Sequence, residues 1–297
     1  MAFARHETFY FREGWLTKGL KAVNKDGGVF MAKDAMERLG IGSNMVKALR
    51  YWMTATGLTT ENPTGKRVQT LTRFGEVIYQ YDKYLEESMT LWLLHYQLAI
   101  NDKLATAWYW FFNIFSYKEF DEALFLEDLK LWVEDQGEQV SEGSLKKDFD
   151  CIIGTYCPSK NSVANPEDNI VCPLQELGII EQVDAKKRIY RFTRKNISEM
   201  PIELFHYALA DYIRENKLEK DISLDTLLSS PKALGKVFTL GLADLIEVLG
   251  KLEEKGYIRV NRTAGLNHIS VLFEQSPEEI LEDYYQRINA DEIAGVV

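Results

Sequence analysis

Three stretches of the sequence share one order of features, and this repetition restricts the fold more than any other property of the chain. In each stretch a helical pattern ends at a glycine, and two runs of alternating apolar and polar residues follow it around a short turn. The three stretches begin with GLTTEN at Gly57, GIIEQV at Gly178 and GYIRVN at Gly256. Glycine suits the left-handed residue that closes many helices. The repetition predicts a mainly α fold with small β-hairpins (α+β), formed by tandem winged helix-turn-helix units joined by a helical linker.

The positions of these stretches divide the chain into four segments. We predict an N-terminal arm plus winged helix 1 in residues 1–84, an aromatic-rich helical linker in residues 85–120, a winged-helix-like unit 2 in residues 121–199, and a winged-helix-like unit 3 with a C-terminal helix in residues 200–297. The linker contains Trp92, Trp108 and Trp110. We expect these large rings to be buried and to join the neighbouring units into one rigid body.

The net charge of −10 hides an uneven distribution. Residues 1–73 contain 12 Lys and Arg against 6 Asp and Glu, whereas the remainder contains 23 against 39. Because salt screens charges beyond about 8–10 Å, the local charge matters more than the total for attracting a polyanion. The distribution is compatible with a DNA-facing N-terminal third and a protein-facing or solubilising remainder, and equally with ordinary scatter of charge.

The helix predicted after the GIGS turn has two distinct faces. Its apolar face is formed by Met45, Val46, Leu49, Trp52 and Met53. The opposite face has no acidic residue, and its candidate DNA-binding side chains are Asn44, Lys47, Arg50, Tyr51 and Thr54, with Lys66 and Arg67 added by the turn of the following hairpin. Such side chains donate to phosphates and base edges, and Ser43 is the predicted N-cap. The alternatives are an ordinary solvated face or a surface that binds protein.

A second basic segment surrounds the hairpin that follows Gly178. Lys186, Lys187 and Arg188 are further candidate DNA contacts, and Arg191, Arg194 and Lys195 continue the run. The alternative is an edge strand that charge protects against aggregation. The third unit has acid-rich helices, which indicates packing or a protein partner.

Sequence motifs for catalysis and cofactor binding are largely missing. There is no GxxxxGK[ST], GxGxxG or HExxH motif, and the four histidines are scattered. Cys151, Cys157 and Cys172 lack the close pair that a zinc or iron–sulfur site favours. We therefore expect a non-enzymatic protein with no catalytic residues, no metal and no cofactor, although a triad can assemble from distant residues.

The sequence also indicates where the protein works. No window has the roughly 18 uninterrupted apolar residues of a membrane span, and the N-terminus lacks the apolar core of a signal peptide. An odd number of loosely spaced cysteines favours a reducing compartment. We expect a cytoplasmic protein without a membrane partner.

The N-terminal segment combines His6, Glu7 and Arg12 with several aromatic residues. This composition is unusual for a floppy terminus. Three hypotheses stay open for this segment: a structural arm, a binding element, or a catalytic segment that uses His6 and Glu7.

Four segments resemble a known family. They are HETFYFREGWLTKGL (residues 6–20), LGIGSNMVKALRYW (39–52), LTRFGEVI (71–78) and NIVCPLQELGII (169–180). Over residues 3–195 the chain resembles an uncharacterised bacterial family with a GHETF…GWL signature, encoded near phosphosulfate-reductase-like proteins of DNA phosphorothioation and phage-defence islands. Arg5 stands where that signature has a small residue.

The resemblance implies a DNA-modification or phage-defence context but no activity. We favour a non-enzymatic DNA-binding or adaptor protein whose acidic C-terminal part binds a partner, either a sulfurtransferase-like or defence-complex subunit or a second copy in a homodimer. The alternatives are a protein-interaction scaffold whose winged helices dock partners without DNA contact, and a small enzyme or regulator that uses the His6–Glu7 segment.

Overall fold

The computed structural model describes residues 1–62, 65, 67–158, 171–194, 196–263 and 266–295. Two of the predicted cations, Lys66 and Lys195, lie outside these residues. The chain is a mixture of helices and small antiparallel sheets. It forms two compact units, an N-terminal unit of residues 1–194 and a C-terminal unit of residues 195–297.

The helices of the N-terminal unit come in two groups along the chain. The first group is α1 (Trp15–Lys25), α2 (Ala35–Leu39), α3 (Ser43–Ala55) and α4 (Arg73–Tyr81). The second group is α5 (Ser88–Ile100), α6 (Thr106–Asn113), α7 (Glu122–Asp135) and α8 (Glu142–Tyr156). Short 3₁₀ turns lie at Val29–Met31 and Pro173–Leu177. The pattern AKDAMERL predicts a helix over 32–39, but α2 is shorter because residues 32–34 form a bend and turn after the 3₁₀ segment.

Two small sheets complete the N-terminal unit. Strands β1 (Thr59–Glu61) and β2 (Gln69–Leu71) form an antiparallel pair in which Thr60 lies opposite Thr70. Strands β3 (Glu119–Phe120), β4 (Ile180–Asp184) and β5 (Ile189–Phe192) form a second sheet in the order β3-β5-β4. The two hairpins lie where the alternating sequence predicts them, whereas β3 was not predicted.

The C-terminal unit consists of α9 (Ile202–Asn216), β6 (Asp221–Ser223), α10 (Leu224–Ser229), α11 (Leu234–Val237), α12 (Leu242–Glu254), β7 (Ile258–Thr263), β8 (Leu266–Val271) and α13 (Pro277–Gly295), preceded by a 3₁₀ turn at Ile197–Glu199. Its sheet has the order β6-β8-β7. Helix α9 packs against α13 and α12. Strand β6 and helix α11 are additions to the predicted elements.

The three glycines that define the repeated order have left-handed backbones. The φ angles are 71° at Gly57, 54° at Gly178 and 76° at Gly256. Residues with a Cβ atom rarely adopt this conformation, so glycine at these three positions closes the preceding turn and redirects the chain into a strand. The predicted conformation is confirmed at each position.

The aromatic-rich segment 85–120 lies in the core of the N-terminal unit. Trp92, Trp108 and Trp110 are all buried, as expected. The ring of Trp110 packs edge-on against Phe125 of α7 at a centroid distance of 5.0 Å. Trp108 likewise meets Trp52 of α3 at 5.4 Å. Helices α5 and α6 thus connect residues on both sides of the segment, and the boundaries at 84, 120 and 199 stay a sequence-based interpretation.

None of the helices in the described ranges is both long and apolar enough to pass through a lipid bilayer.

Candidate nucleic-acid interface

Helix α3 places the predicted basic face at the surface of the N-terminal unit. Its apolar face is in the core, where Leu49, Trp52 and Met53 are fully buried. The helix begins at Ser43, and Gly42 rather than Ser43 occupies the N-cap position. The Ser43 cap prediction was therefore wrong by one residue. The side chains of Asn44 and Lys47 are exposed, and those of Arg50, Tyr51 and Thr54 are half-buried.

The N-terminal arm is held beside α3 by a buried pair of side chains. His6 is fully buried, and its Nε2 lies 2.8 Å from Oδ1 of Asp148 on α8. The backbone N–H of Ala4 donates to the same carboxylate, with 3.0 Å between the nitrogen and each oxygen. Burial raises the pKa of Asp148, although the hydrogen bond and charge of His6 oppose this rise. Among the open readings of the segment, a structural arm is the one that these contacts favour.

The backbone on either side of His6 is unusual. Ala4, Glu7 and Thr8 have positive φ angles of 52°, 51° and 68°. Left-handed conformations are costly for residues with a Cβ atom and persist where surrounding contacts hold them. Here the buried His6 side chain points into the core, and its neighbours Arg5 and Glu7 are exposed.

The arm, α3 and the β1–β2 hairpin together enclose a groove of about 1020 Å³. Its lining comprises Phe3, Ala4, Arg5 and Glu7 of the arm, Lys47, Arg50, Tyr51 and Thr54 of α3, Thr59, Thr60, Glu61, Arg67 and Thr72 of the hairpin region, and Leu104. The groove therefore unites two features that the sequence presents separately, the basic helix face and the N-terminal segment. We refer to it as the arm groove.

On the hairpin side of the groove, an arginine of α3 is neutralised. Arg50 Nε donates to Glu61 Oε2 at 2.7 Å, and Arg50 Nη2 donates to Oε1 of the same carboxylate. Burial raises the pKa of Glu61, but the hydrogen bond and charge of Arg50 lower it by more, and Arg67 adds to the lowering. Glu61 is consequently ionised at neutral pH, and Arg50 contributes little net charge to the groove.

On the arm side, Tyr51 is fixed in place. Its hydroxyl donates to the carbonyl oxygen of Leu104 at 3.1 Å. Its ring meets Trp52 edge-on at a centroid distance of 5.0 Å and lies 6.2 Å from the ring of His6. Burial of the hydroxyl, together with the negative charge of Asp148, raises the pKa of Tyr51 well above its usual value. The hydroxyl therefore stays protonated, and the half-buried ring forms part of the groove wall.

The charge in the groove is positive, although the chain as a whole is acidic. Four basic and two acidic side chains line it, in a chain of net charge −10. Arg5, Lys47 and Arg67 are in no salt bridge within the described part of the chain. Three cations thus face the groove from three different elements without a salt bridge among the described residues, although Arg67 lies within electrostatic reach of Glu61. This arrangement suits a phosphate backbone.

The second basic segment is not part of this groove. Lys186 and Lys187 are exposed in the β4–β5 turn. Arg188 donates to Glu122 and Asp150 with nitrogen–oxygen distances of 3.1 Å, so its charge is compensated. Arg191 is likewise paired, with Glu181 and Glu119. Only the two lysines of the predicted trio present an uncompensated charge.

The sequence identifies part of the site and misses the rest. Lys47, Arg50, Tyr51, Thr54 and Arg67 converge on the groove, whereas Asn44 is exposed outside its lining. The Thr54 hydroxyl donates to the carbonyl of Tyr51 at 2.9 Å. The contributions of Phe3, Arg5 and Glu61, and the anchoring role of Asp148, were not predicted, whereas Glu7 was named in an open hypothesis for the N-terminal segment. The unusual composition of that segment was the available signal for Phe3 and Arg5.

Comparisons with known proteins find a family of unknown function over nearly the whole chain, as well as similar solved structures. The model of a family described as "Protein of unknown function (DUF4007)" matches residues 3–285. The fold is similar to a magnesium ion-bound SspB crystal structure, with a TM-score of 0.85, 31% identity, and coverage of 97% of this chain and 89% of that one. A second SspB crystal structure matches with a TM-score of 0.81, 30% identity, and coverage of 98% and 87%. A search of curated proteins found no match.

The bound magnesium of the first SspB structure raises the question of a metal site. Among the residues that the structure describes, no three His, Cys, Asp or Glu side chains lie close enough together to hold a metal ion. The two acids of the arm groove do not change this, because Glu61 is engaged by Arg50. We assign no magnesium ligands in this chain.

Proposed function

The chain belongs to the DUF4007 family of unknown function, and on this premise we propose that it is a DNA-binding or adaptor protein of a bacterial DNA-modification or phage-defence system. In this proposal the protein contributes binding rather than catalysis. The arm groove, with uncompensated Arg5, Lys47 and Arg67, is the observation that carries it. The similarity to SspB over nearly the whole chain supports placing the two proteins in the same kind of system.

The order of the elements supports a winged-helix interpretation of both units. In the N-terminal unit, α1, α2 and α3 precede the β1–β2 hairpin, which is the order of a helix-turn-helix with a wing. In the C-terminal unit, α9, α10 and α12 alternate with a three-stranded sheet in which the last strand lies in the middle. We propose that α3 is the DNA-facing helix of the first module.

The cations of the groove predict the thermodynamics of binding. Each Lys or Arg that neutralises a phosphate releases counterions, so affinity falls as salt rises, with a slope of roughly 0.9 per contact on duplex DNA. Three uncompensated cations therefore predict a measurable salt dependence in spite of the net negative charge of the chain. Repulsion by the acidic remainder lowers the affinity at low salt. This repulsion is screened as the salt concentration increases.

The test is a charge reversal inside and outside the groove. In the full-length protein, Lys47→Glu with Arg67→Glu is expected to weaken binding to a duplex more than about tenfold and to reduce the salt slope by about 2. The matched control is Lys130→Glu with Lys147→Glu, which makes the same change in net charge at two exposed positions outside the groove lining. Fluorescence anisotropy between low and physiological salt measures both quantities, and melting temperatures verify that the variants fold.

Two results would contradict the proposal. If both double variants weaken binding equally, the effect is one of net charge and the groove is not the site. If the wild-type protein binds no DNA at low salt, the scaffold alternative takes its place.

One observation favours a protein-interaction role for the C-terminal unit. Helix α12 exposes Leu242 and Ile246, at 53% and 46% of their surface, on a helix that also exposes Glu247 and Glu253. Exposed apolar side chains one helical turn apart are typical of a protein contact. Leu242→Ser with Ile246→Ser is expected to abolish co-purification of a defence-system partner and leave DNA binding unchanged.

A further inference from the structure

We infer that the arm groove accepts an unpaired strand of DNA rather than the intact duplex. This inference rests on the proposed function and specifies its substrate. It follows from the shape of the groove, from the way in which the arm is anchored, and from the aromatic side chains among its cations.

The shape of the groove is the first argument. A helix that reads duplex DNA must protrude, because it has to enter a major groove about 12 Å wide. The outward face of α3 is instead the floor of a concave site. Tyr51 reaches towards the arm and the Leu104 carbonyl on one side, and Arg50 reaches towards Glu61 of the hairpin on the other. The arm and the hairpin thus flank the helix face on both sides and form one concave site with it, a shape that suits a single strand better than a duplex.

The anchoring of the arm is the second argument, because it holds the arm beside the helix face. To let α3 enter a duplex, the segment around Ala4–Glu7 would have to move away. His6 is buried against Asp148, and the backbone of Ala4 is bonded to the same carboxylate. Breaking such a buried arrangement is costly, because it leaves polar groups without partners in the core. The arm is therefore a fixed wall of the groove.

The composition of the groove is the third argument. Proteins that bind single strands combine cations that follow the backbone with aromatic rings on which bases stack. Phe3 and Tyr51 line the same space as Arg5, Lys47 and Arg67. In a duplex the faces of the bases are covered by their neighbours, so these rings would have nothing to stack on. An unpaired strand, in contrast, offers both phosphates and free base faces.

The volume is consistent with this ligand. Sites for small molecules have volumes of roughly 300–1,000 Å³. At about 1020 Å³ the arm groove has room for a short segment of one strand. The exposed Thr60 hydroxyl and the Glu7 carboxylate supply acceptors for base amino groups, whereas the hydroxyls of Thr59 and Thr72 are engaged within the protein.

The experiment compares DNA forms in the full-length protein. Anisotropy is measured with a 12-nucleotide single strand, the same sequence as a duplex, and a longer duplex that contains a four-nucleotide unpaired gap. We expect the single strand and the gapped duplex to bind at least about fivefold more tightly than the intact duplex. Binding of an RNA strand of the same sequence is measured in the same way.

Phe3→Ala is the diagnostic variant, because Phe3 lies in the arm and is only half-buried. It is expected to weaken binding of the single strand by about fivefold or more, and binding of the intact duplex by less than about twofold. The control is Tyr117→Ala, which removes a 46% exposed ring outside the groove lining. Stacking is followed directly with 2-aminopurine in the unpaired strand, whose fluorescence should be quenched by the wild type and by Tyr117→Ala but not by Phe3→Ala. Tyr51→Leu, provided that its melting temperature is retained, gives a second variant with the same expectation.

The outcomes separate the inference from the proposed function. If the intact duplex binds most tightly and Phe3→Ala has no effect, the single-strand inference is overturned while DNA binding stands. If no form of DNA binds, both are overturned. Tighter binding of RNA than of DNA would overturn the assignment to a DNA strand.

Discussion

The two basic regions of the N-terminal unit look alike in the sequence and differ in the structure. Four cations line the arm groove, and one of them, Arg50, is neutralised by a salt bridge to Glu61. In the β4–β5 turn region, Arg188 and Arg191 each contact two carboxylates, and Lys186 and Lys187 remain. The first region is concave and presents its charge to a space that a ligand can enter. In the second region, Arg188 joins the hairpin to helices α7 and α8, and Arg191 pairs with acids of strands β3 and β4.

This difference shows why the number of basic residues in a segment overestimates its capacity to bind DNA. An arginine that already donates to a carboxylate must lose those bonds before it can bind a phosphate, so its net contribution is small. The availability of a cation depends on acids that are remote in sequence. Glu122, for instance, lies 66 residues before its partner Arg188.

The largest expected effect is a loss of stability, which should be greater at the buried anchor of the groove than at the exposed ion pairs of the turn region. Asp148 and Asp150 lie two residues apart on α8; the first is buried against His6 and the second contacts Arg188 and Lys146 at the surface. Asp148→Ala is expected to lower the free energy of unfolding by about 2–4 kcal/mol, because it leaves buried polar groups without partners. Asp150→Ala should cost less than about 1 kcal/mol, as exposed ion pairs contribute little.

Tryptophan fluorescence during urea unfolding is a suitable measurement. All six tryptophans lie in the N-terminal unit, so the signal reports on the unit that contains both aspartates. Equally small losses for the two variants, each below about 1 kcal/mol, would remove the distinction between a buried anchor and a surface pair. The arm would then be free to move, and the concave shape of the groove would no longer argue against a duplex.

The elements of the fold were predictable from local sequence to a considerable degree. The pattern IELFHYALADYIREN predicts a helix over Ile202–Asn216, and α9 has these bounds. Gly57, Gly178 and Gly256 have the predicted left-handed conformation. Both properties depend on neighbouring residues, because helical periodicity and helix termination are local. Strands β3 and β6, which contain two and three residues, are too short to show alternation, and only their pairing with β5 and β8 defines them.

The site was less predictable than the fold. The periodicity of α3 correctly separated its apolar face from the side carrying Lys47 and Arg50. It could not indicate that His6 meets Asp148, since these residues are 142 positions apart. Nor could it indicate that Arg50 is neutralised across the hairpin by Glu61. Contacts between distant segments, which depend on the packing of the whole unit, determine the walls and the charge of the groove.

An intermediate effect is expected from releasing the one paired arginine of the groove. Glu61→Gln keeps the shape of the side chain but removes the charge that holds Arg50, so a fourth cation becomes available to DNA. The affinity should rise about threefold to tenfold, and the salt slope should steepen by about 1. The matched control is Glu181→Gln, which removes a carboxylate from Arg191 in the other basic region. Anisotropy titrations should give less than about a twofold change for that control, and an equal gain for both variants would show that total charge, not position, governs affinity.

The smallest effect on DNA affinity is expected at the β4–β5 turn. A large effect there would contradict the difference between the two basic regions. Arg188→Gln removes a cation that Glu122 and Asp150 already compensate, so the DNA affinity should change by less than about twofold. Lys186→Gln with Lys187→Gln removes two exposed and uncompensated charges, and a loss of about twofold to threefold is expected from the weaker long-range attraction alone. The same anisotropy titration measures both variants at low salt. A tenfold loss for Arg188→Gln would mean that this arginine exchanges its carboxylates for phosphate when DNA arrives. The β4–β5 turn would then have to be added to the binding surface. A salt bridge to a carboxylate would no longer indicate that a cation is unavailable to DNA.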